Sequence, residues 1–221
     1  VMLLKLKLPA SQRFDYLAGQ YLDILLRDGR RRSFSMASRP ELGQELELHV
    51  RHVPGGHFSG RVFDSMREKD LLRLQGPFGT FFLREDSTRP AVLLAGGTGL
   101  APIKALLEQA IHQGIDRRFR LFWGVRDERD LYYDDWLREL AAQHSNFDYV
   151  PVLSECKNDA WTGERGFVHE AVLRAIEDFS DYEVYACGPP IMIEVAREAF
   201  TARGLDGDRL YSDSFEYAVD E

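Results

Sequence analysis

The sequence of 221 residues holds only two cysteines, Cys156 and Cys187. Two thiols cannot build a disulfide framework or supply the four thiolates of an iron–sulfur cluster. No apolar stretch approaches the roughly 20 residues of a membrane-spanning helix, so no membrane partner is expected. The N-terminus carries no signal-peptide pattern, and a reducing, cytoplasmic setting is the plain expectation. Apart from Arg30-Arg31-Arg32 there is no dense basic run, and the formal charge is −8. That balance argues against nucleic acid as a partner. The six histidines show no metal-ligand spacing, so no metal site is expected. No serine sits in a G-x-S-x-G elbow, and no lysine follows a glycine loop in the Walker manner.

What is present is ordinary globular material, 44% hydrophobic and 29% charged, with two distinct periodicities. Up to about residue 86 the pattern is that of short strands. Leu4, Leu6 and Leu8 alternate with lysines, and further strands are predicted at 21–26, 31–37, 45–51, 71–74 and 81–83. Turn residues separate them, and the spacing suggests an antiparallel barrel with one short helix at 61–66. The alternation is already under way at Met2, which suggests a fragment of a chain continuing upstream. The charged segment 85–89 reads as a linker, dividing a domain at 1–86 from one at 87–221. Beyond it, strands at 91–95, 119–123, 149–153, 182–187 and 209–213 alternate with helices at 102–112, 134–142, 167–176 and 190–203. This is the pattern of a doubly wound, five-stranded parallel sheet. Pro151 places its strand at an edge or an end.

In such a sheet, ligands bind beyond the carboxyl ends of the strands. Three of those ends are unusual. Gly96-Gly97-Thr98-Gly99-Leu100-Ala101-Pro102 runs from a buried strand into a helix whose N-terminus suits a phosphate, or it is simply a tight packing turn. Gly124-Val125-Arg126 offers an arginine for a phosphate or an adenine, or a solvated loop arginine. Cys187-Gly188-Pro189-Pro190 carries a cysteine that is either a buried small hydrophobe or a reactive-site thiol. In the barrel, Arg32-Ser33-Phe34-Ser35 combines a cation, a flat apolar wall and two hydroxyls, or else is a strand with a basic edge. Gly55-Gly56-His57-Phe58-Ser59 opens a helix and forms a second candidate phosphate cradle.

These five motifs, in this order and covering nearly the whole chain, resemble the ferredoxin–NADP reductase superfamily. The likeness is greatest to reductase components of oxygenases, NAD(P)H–flavin reductases and CDP-6-deoxy-glucoseen reductases. The resemblance implies a flavin-binding antiparallel barrel, here without its first strand, followed by a nicotinamide-binding parallel domain. It implies FAD, favoured over FMN, and NADH or NADPH as cofactors. Carried over residue by residue, Arg32 and Ser33 hold the flavin pyrophosphate side, Phe34 packs along the flavin, and Ser35 reaches its N5 edge. His49, Val50 and Arg51 line it, and Gly56, His57, Phe58 and Ser59 bind its pyrophosphate. Gly97, Thr98, Gly99 and Leu100 receive the nicotinamide nucleotide, with Gly124 and Arg126 beyond them. Cys187 lies by the nicotinamide, with Gly188 and Pro189 shaping its approach. Asp213 and Phe215 flank the flavin, so Ser35, Cys187, Asp213 and Phe215 form the expected catalytic set. The pairing of Arg126 with Asp127 leans towards NADH.

The implied activity is an NAD(P)H oxidoreductase that passes electrons singly to an acceptor, a [2Fe-2S] domain or protein. No Cys-x4-Cys-x2-Cys cluster is present, so that centre lies outside this sequence. A free-flavin reductase is the enzymatic alternative. A non-catalytic cofactor-binding regulatory subunit is the alternative of another class.

Overall fold

The computed structural model describes residues 1–215. The chain divides into two compact units, one of residues 1–84 with 101–114 and one of residues 85–100 with 115–215.

The first unit is built from β1 (Met2–Lys7), β2 (Tyr21–Leu25), β3 (Arg31–Ser35), β4 (Glu45–Val50) and β5 (Arg73–Phe78). β1 pairs antiparallel with β4, and β2 lies between β3 and β5 in a three-stranded antiparallel sheet. An isolated bridge between Met36 and Leu48 joins the two sheets. Alternation does the sorting, because successive strand residues face opposite sides. Leu22, Ile24, Leu46, Leu48 and Val50 turn into one core, and Lys5, Lys7 and Glu45 turn out. Helix α1 (His57–Asp64) closes that core with Phe58 and Val62. It begins four residues before the helix expected at 61–66, since Gly56 serves as its N-cap and Gly60 is accommodated inside it. The strand expected at 81–83 does not form. Gly79 turns the chain at φ +91°, and Phe81 and Leu83 are buried on irregular backbone, Phe81 packed against Gly19. Helix α2 (Leu100–His112) belongs to this unit from Ala101 onward.

The second unit is a parallel sheet of β6 (Ala91–Gly96), β7 (Phe119–Val125), β8 (Phe147–Leu153), β9 (Glu164–Arg165), β10 (Glu183–Gly188) and β11 (Leu210–Ser214). The order is β11-β10-β6-β7-β8-β9, six strands where the periodicity suggested five. The extra strand is two residues long, too short to leave a pattern. It pairs only with Val152 and Leu153, so β8 is an edge at Pro151, where a missing N–H is harmless. Even-numbered residues Val92, Leu94, Phe122, Val152, Val184 and Ala186 form one buried face. Helices α4 (Val168–Ala175) and α5 (Pro190–Thr201) cover that face with Val168, Ala171, Val172, Ile193, Ala196 and Phe200. Helix α3 (Asp134–Gln143) links β7 to β8. Among the described residues no helix is long and apolar enough to cross a membrane.

Candidate functional site

Two groups of residues stand out, one in each unit. In the barrel, β2–β3 pairing sets Phe34 opposite Leu22 and Arg32 opposite Ile24. Both partners are fully buried, so Arg32 and Phe34 share the core-side face while Ser33 and Ser35 take the face of Asp23 and Tyr21. The Phe34 ring lies 5.3 Å from that of Phe58 in the first turn of α1, which brings the arginine strand and the Gly56 turn together. The Ser33 hydroxyl donates to Asp23 at 2.7 Å.

The α1 turn is closed from within. Ser59 Oγ accepts from the Val53 N–H at 3.2 Å and donates to the Val53 carbonyl at 3.1 Å. A Cβ on Gly56 would meet Ser59 Oγ at 2.7 Å, so only glycine lets the hydroxyl make this closure. The contribution of Ser59 is thus to shape the turn that starts α1.

His49 and Val50, expected along the flavin, have buried side chains. Val50 is core, and the buried His49 imidazole pairs with Glu47 at 2.9 Å. Burial pushes the His49 pKa down, with Glu47 opposing and Lys104 reinforcing the shift. Glu47 in turn meets Lys104 of α2, which is 5% exposed and also bonds Glu108 at 2.7 Å and the Ala37 carbonyl at 3.0 Å. On β4 the His49 side chain is thus enclosed by Glu47 and Lys104. Arg51, one residue past the strand, is exposed.

In the second unit, the strand order reverses between β6 and β10, both of which start their crossovers there. One rung across the sheet reads Asp213, Cys187, Ala95, Trp123, Pro151. Just beyond it lies the tight turn Gly97–Gly99, which leads into α2. Gly97 has φ +54°, in the left-handed region that suits glycine. A Cβ on Gly99 would stand 2.1 Å from the Cys187 carbonyl oxygen. One on Gly96 would stand 2.7 Å from Met192 Sδ, so the two glycine turns are in van der Waals contact. The Phe215 N–H reaches the Gly188 carbonyl at 3.3 Å, tying the end of β11 to the same place. Residues 96–99, 187–189, Asp213 and Phe215, far apart in sequence, are thereby assembled at one end of one sheet.

Cys187 is fully buried, and burial, with the Asp213 carboxylate adding to it, pushes its thiol well above the ordinary range. It is therefore a neutral S–H group, not a thiolate nucleophile. Leu100 is buried too, and its N–H is used on the Gly97 and Thr98 carbonyls.

Gly124 and Arg126 lie at the end of β7. The space beside Gly124 is filled by Val168, 2.7 Å from where its Cβ would be, so this glycine serves helix packing. Arg126 is exposed and only 3.8 Å from Glu155 at closest. Asp127, the acidic neighbour used to favour NADH, caps the turn Glu128–Asp130 by accepting from the Arg129 N–H.

Residues 1–83 match the oxidoreductase FAD-binding domain, and residues 93–198 match the oxidoreductase NAD-binding domain. The crystal structure of the Amycolatopsis cytochrome P450 reductase GcoB is 32% identical, with a TM-score of 0.87 over 96% of this chain and 70% of that one.

The chain belongs to the ferredoxin–NADP reductase superfamily.

Named relatives agree. The CDP-6-deoxy-L-threo-D-glycero-4-hexulose-3-dehydrase reductase of Yersinia pestis is 44% identical over 97% of this chain. The terephthalate 1,2-dioxygenase reductase component 1 of a Comamonas species is 36% identical over 97%. The chain spans 64% of the length of each. As a superfamily member it has its FAD-binding domain in the antiparallel unit and its NAD-binding domain over the parallel sheet. The residues present fit both groups. The barrel offers a cation, an aromatic ring and a helix start, and the sheet offers a glycine turn with a left-handed residue before a helix.

Three contributors were not anticipated from sequence. Trp123 donates its indole N–H to the Gly97 carbonyl at 2.9 Å, Met192 fills the space beside Gly96 and Gly188, and Lys104 anchors α2. Trp123 stands directly before a strand-ending glycine, which was the one available signal.

Proposed function

We propose that this chain is the flavin- and nicotinamide-binding part of an NAD(P)H-dependent reductase. It passes electrons singly to a separate acceptor, an iron–sulfur centre serving an oxygenase or a CDP-hexulose dehydrase system. The observation that carries the reading is the convergence of the 96–99 turn, Cys187 and Asp213 at the switch point of the sheet, in a chain that also holds the Arg32, Phe34 and α1 group.

The two cofactors supply hydride and one-electron chemistry that no side chain here can provide. The chain's own residues bind and orient. Arg32 and the first-turn amides of α1 meet the flavin pyrophosphate, and Phe34 lies along the ring system. The Ser35 hydroxyl serves the N5 edge. The Gly97–Gly99 turn holds the nicotinamide nucleotide through backbone donors. Cys187, kept as a compact neutral thiol, and Asp213 define where the nicotinamide rests, with Phe215 beside them. Holding reactants in near-attack geometry is worth about 7–11 kcal/mol, and that is the contribution asked of these groups.

The test is the visible spectrum of the purified protein before and after each coenzyme. Yellow protein bleached by NADH or NADPH is the expected result. Colourless protein that retains no added FAD and oxidises no coenzyme refutes the proposal. Coenzyme oxidation only with flavin added in turnover amounts would instead identify a free-flavin reductase.

A further inference from the structure

The carbonyl of Gly97 has two donors. The Leu100 N–H closes the turn from within, and Trp123 Nε1–H approaches from β7 at 2.9 Å. Trp123 is fully buried, directly opposite Ala95 in the β6–β7 register. Its indole is held edge-on by Tyr132, with ring centroids 5.2 Å apart and planes at 89°. Tyr132 is itself placed by the capped turn Glu128–Asp130 just before it. A buried indole needs a partner for its N–H, and here the partner is the peptide that begins the nucleotide turn.

That peptide, Gly97–Thr98, is trans. In a planar trans peptide the carbonyl and the following N–H point in opposite directions. Anchoring the Gly97 oxygen on the indole therefore aims the Thr98 N–H away from Trp123. Glycine at 97 leaves this peptide with a permissive backbone, and the indole adds a second restraint to that of the Leu100 N–H. We propose that Trp123 is a positioning residue for the coenzyme. Its N–H fixes the Gly97–Thr98 peptide and, with it, the backbone of the turn that would hold the dinucleotide. The inference rests on the reading of the 96–99 turn as the nicotinamide-nucleotide site.

Trp123→Phe keeps an aromatic ring and removes the donor. ADP-ribose, which carries the pyrophosphate and no nicotinamide, is titrated calorimetrically into the FAD-loaded protein, and NADH kinetics are measured alongside. One net hydrogen bond predicts a roughly 3–10-fold loss of ADP-ribose affinity and an equal rise in KM for NADH. The kcat value and FAD content should stay unchanged. Unaltered ADP-ribose affinity, or a fall in kcat at constant KM, overturns the proposal. If phenylalanine loosens the core, benzothienylalanine at position 123 keeps the shape of the indole and lacks its N–H. The same loss of affinity at unchanged Tm supports the proposal, and wild-type affinity refutes it. Wild-type protein that binds neither ADP-ribose nor NADH would overturn the nucleotide-site reading itself, a result distinct from a silent variant.

Discussion

Gly99→Ala isolates a single methyl group at the junction of the two glycine turns. The backbone of Gly99 is not in the left-handed region, so alanine is conformationally allowed there and the penalty is purely steric. The added Cβ would lie 2.1 Å from the Cys187 oxygen, 2.6 Å from its carbonyl carbon and 3.1 Å from the Gly188 nitrogen. All three are backbone atoms of a buried strand, so no side chain can swing aside. For the shortest contact to reach an ordinary 3.4 Å, the turn and β10 must separate by 1.3 Å. The Trp123 bond to Gly97 and the Phe215 bond to Gly188 resist that movement. Overpacking of this kind costs about 1–3 kcal/mol, or roughly 2–12 °C in Tm for a chain of this size. A misplacement of about 1 Å at a reacting centre costs on the order of a hundredfold in rate. The assay is anaerobic stopped-flow bleaching of bound FAD by NADH, with thermal unfolding in parallel. Expected are a hundredfold slower bleaching and unchanged FAD content, since Arg32, Phe34 and α1 belong to the other unit. Gly207→Ala, with nothing within 4 Å of its Cβ, is the control and should be silent. Wild-type bleaching and Tm in Gly99→Ala would refute the reasoning.

Lys104→Met leaves the Glu47 and Glu108 carboxylates without their buried cation. Removing one member of a buried pair costs about 3–5 kcal/mol, to be read as a shift in denaturant midpoint, with partial recovery in Lys104→Met/Glu108→Gln. His49 should make stability pH-dependent. Its folded pKa is depressed, so the unfolded chain takes up the proton first as pH falls through about 6.5. Stability is therefore full above that value and declines below it. His49→Gln should flatten the difference between urea midpoints at pH 7.5 and 5.5, and an unaltered slope would count against this assignment. Arg32→Ala should weaken FAD retention on dialysis by about 1.5–3 kcal/mol, the range for a charged hydrogen bond, while reconstituted protein is still bleached by NADH.

How far the site was legible depended on whether a residue's role is local. The run 96–102 reads as strand, turn and helix because glycine and proline punctuate the backbone wherever they occur, and the structure places it as expected. The alternation in β1, β4 and the barrel core was equally plain. Gly99 follows β6 and Gly124 lies near the end of β7, and only the neighbour across space, the Cys187 backbone for one and Val168 for the other, distinguishes them. His49 likewise sits in a clean alternating strand, and nothing local shows that Glu47 and Lys104 enclose it. The run at 81–83 is apolar enough for a strand but finds no ladder partner after the Gly79 turn.

By itself the sequence determined the two periodicities, the elements they imply and the order of the binding motifs. Those follow from side-chain alternation, helical spacing and backbone freedom, which act over a few residues. Only the tertiary structure decided which motifs meet. Parallel pairing of β11, β10, β6 and β7 brings Asp213, Cys187, Ala95 and Trp123 onto one rung. That rung exists because buried backbone groups must pair across strands far apart in the chain, and it turns a glycine turn and a lone cysteine into parts of one site.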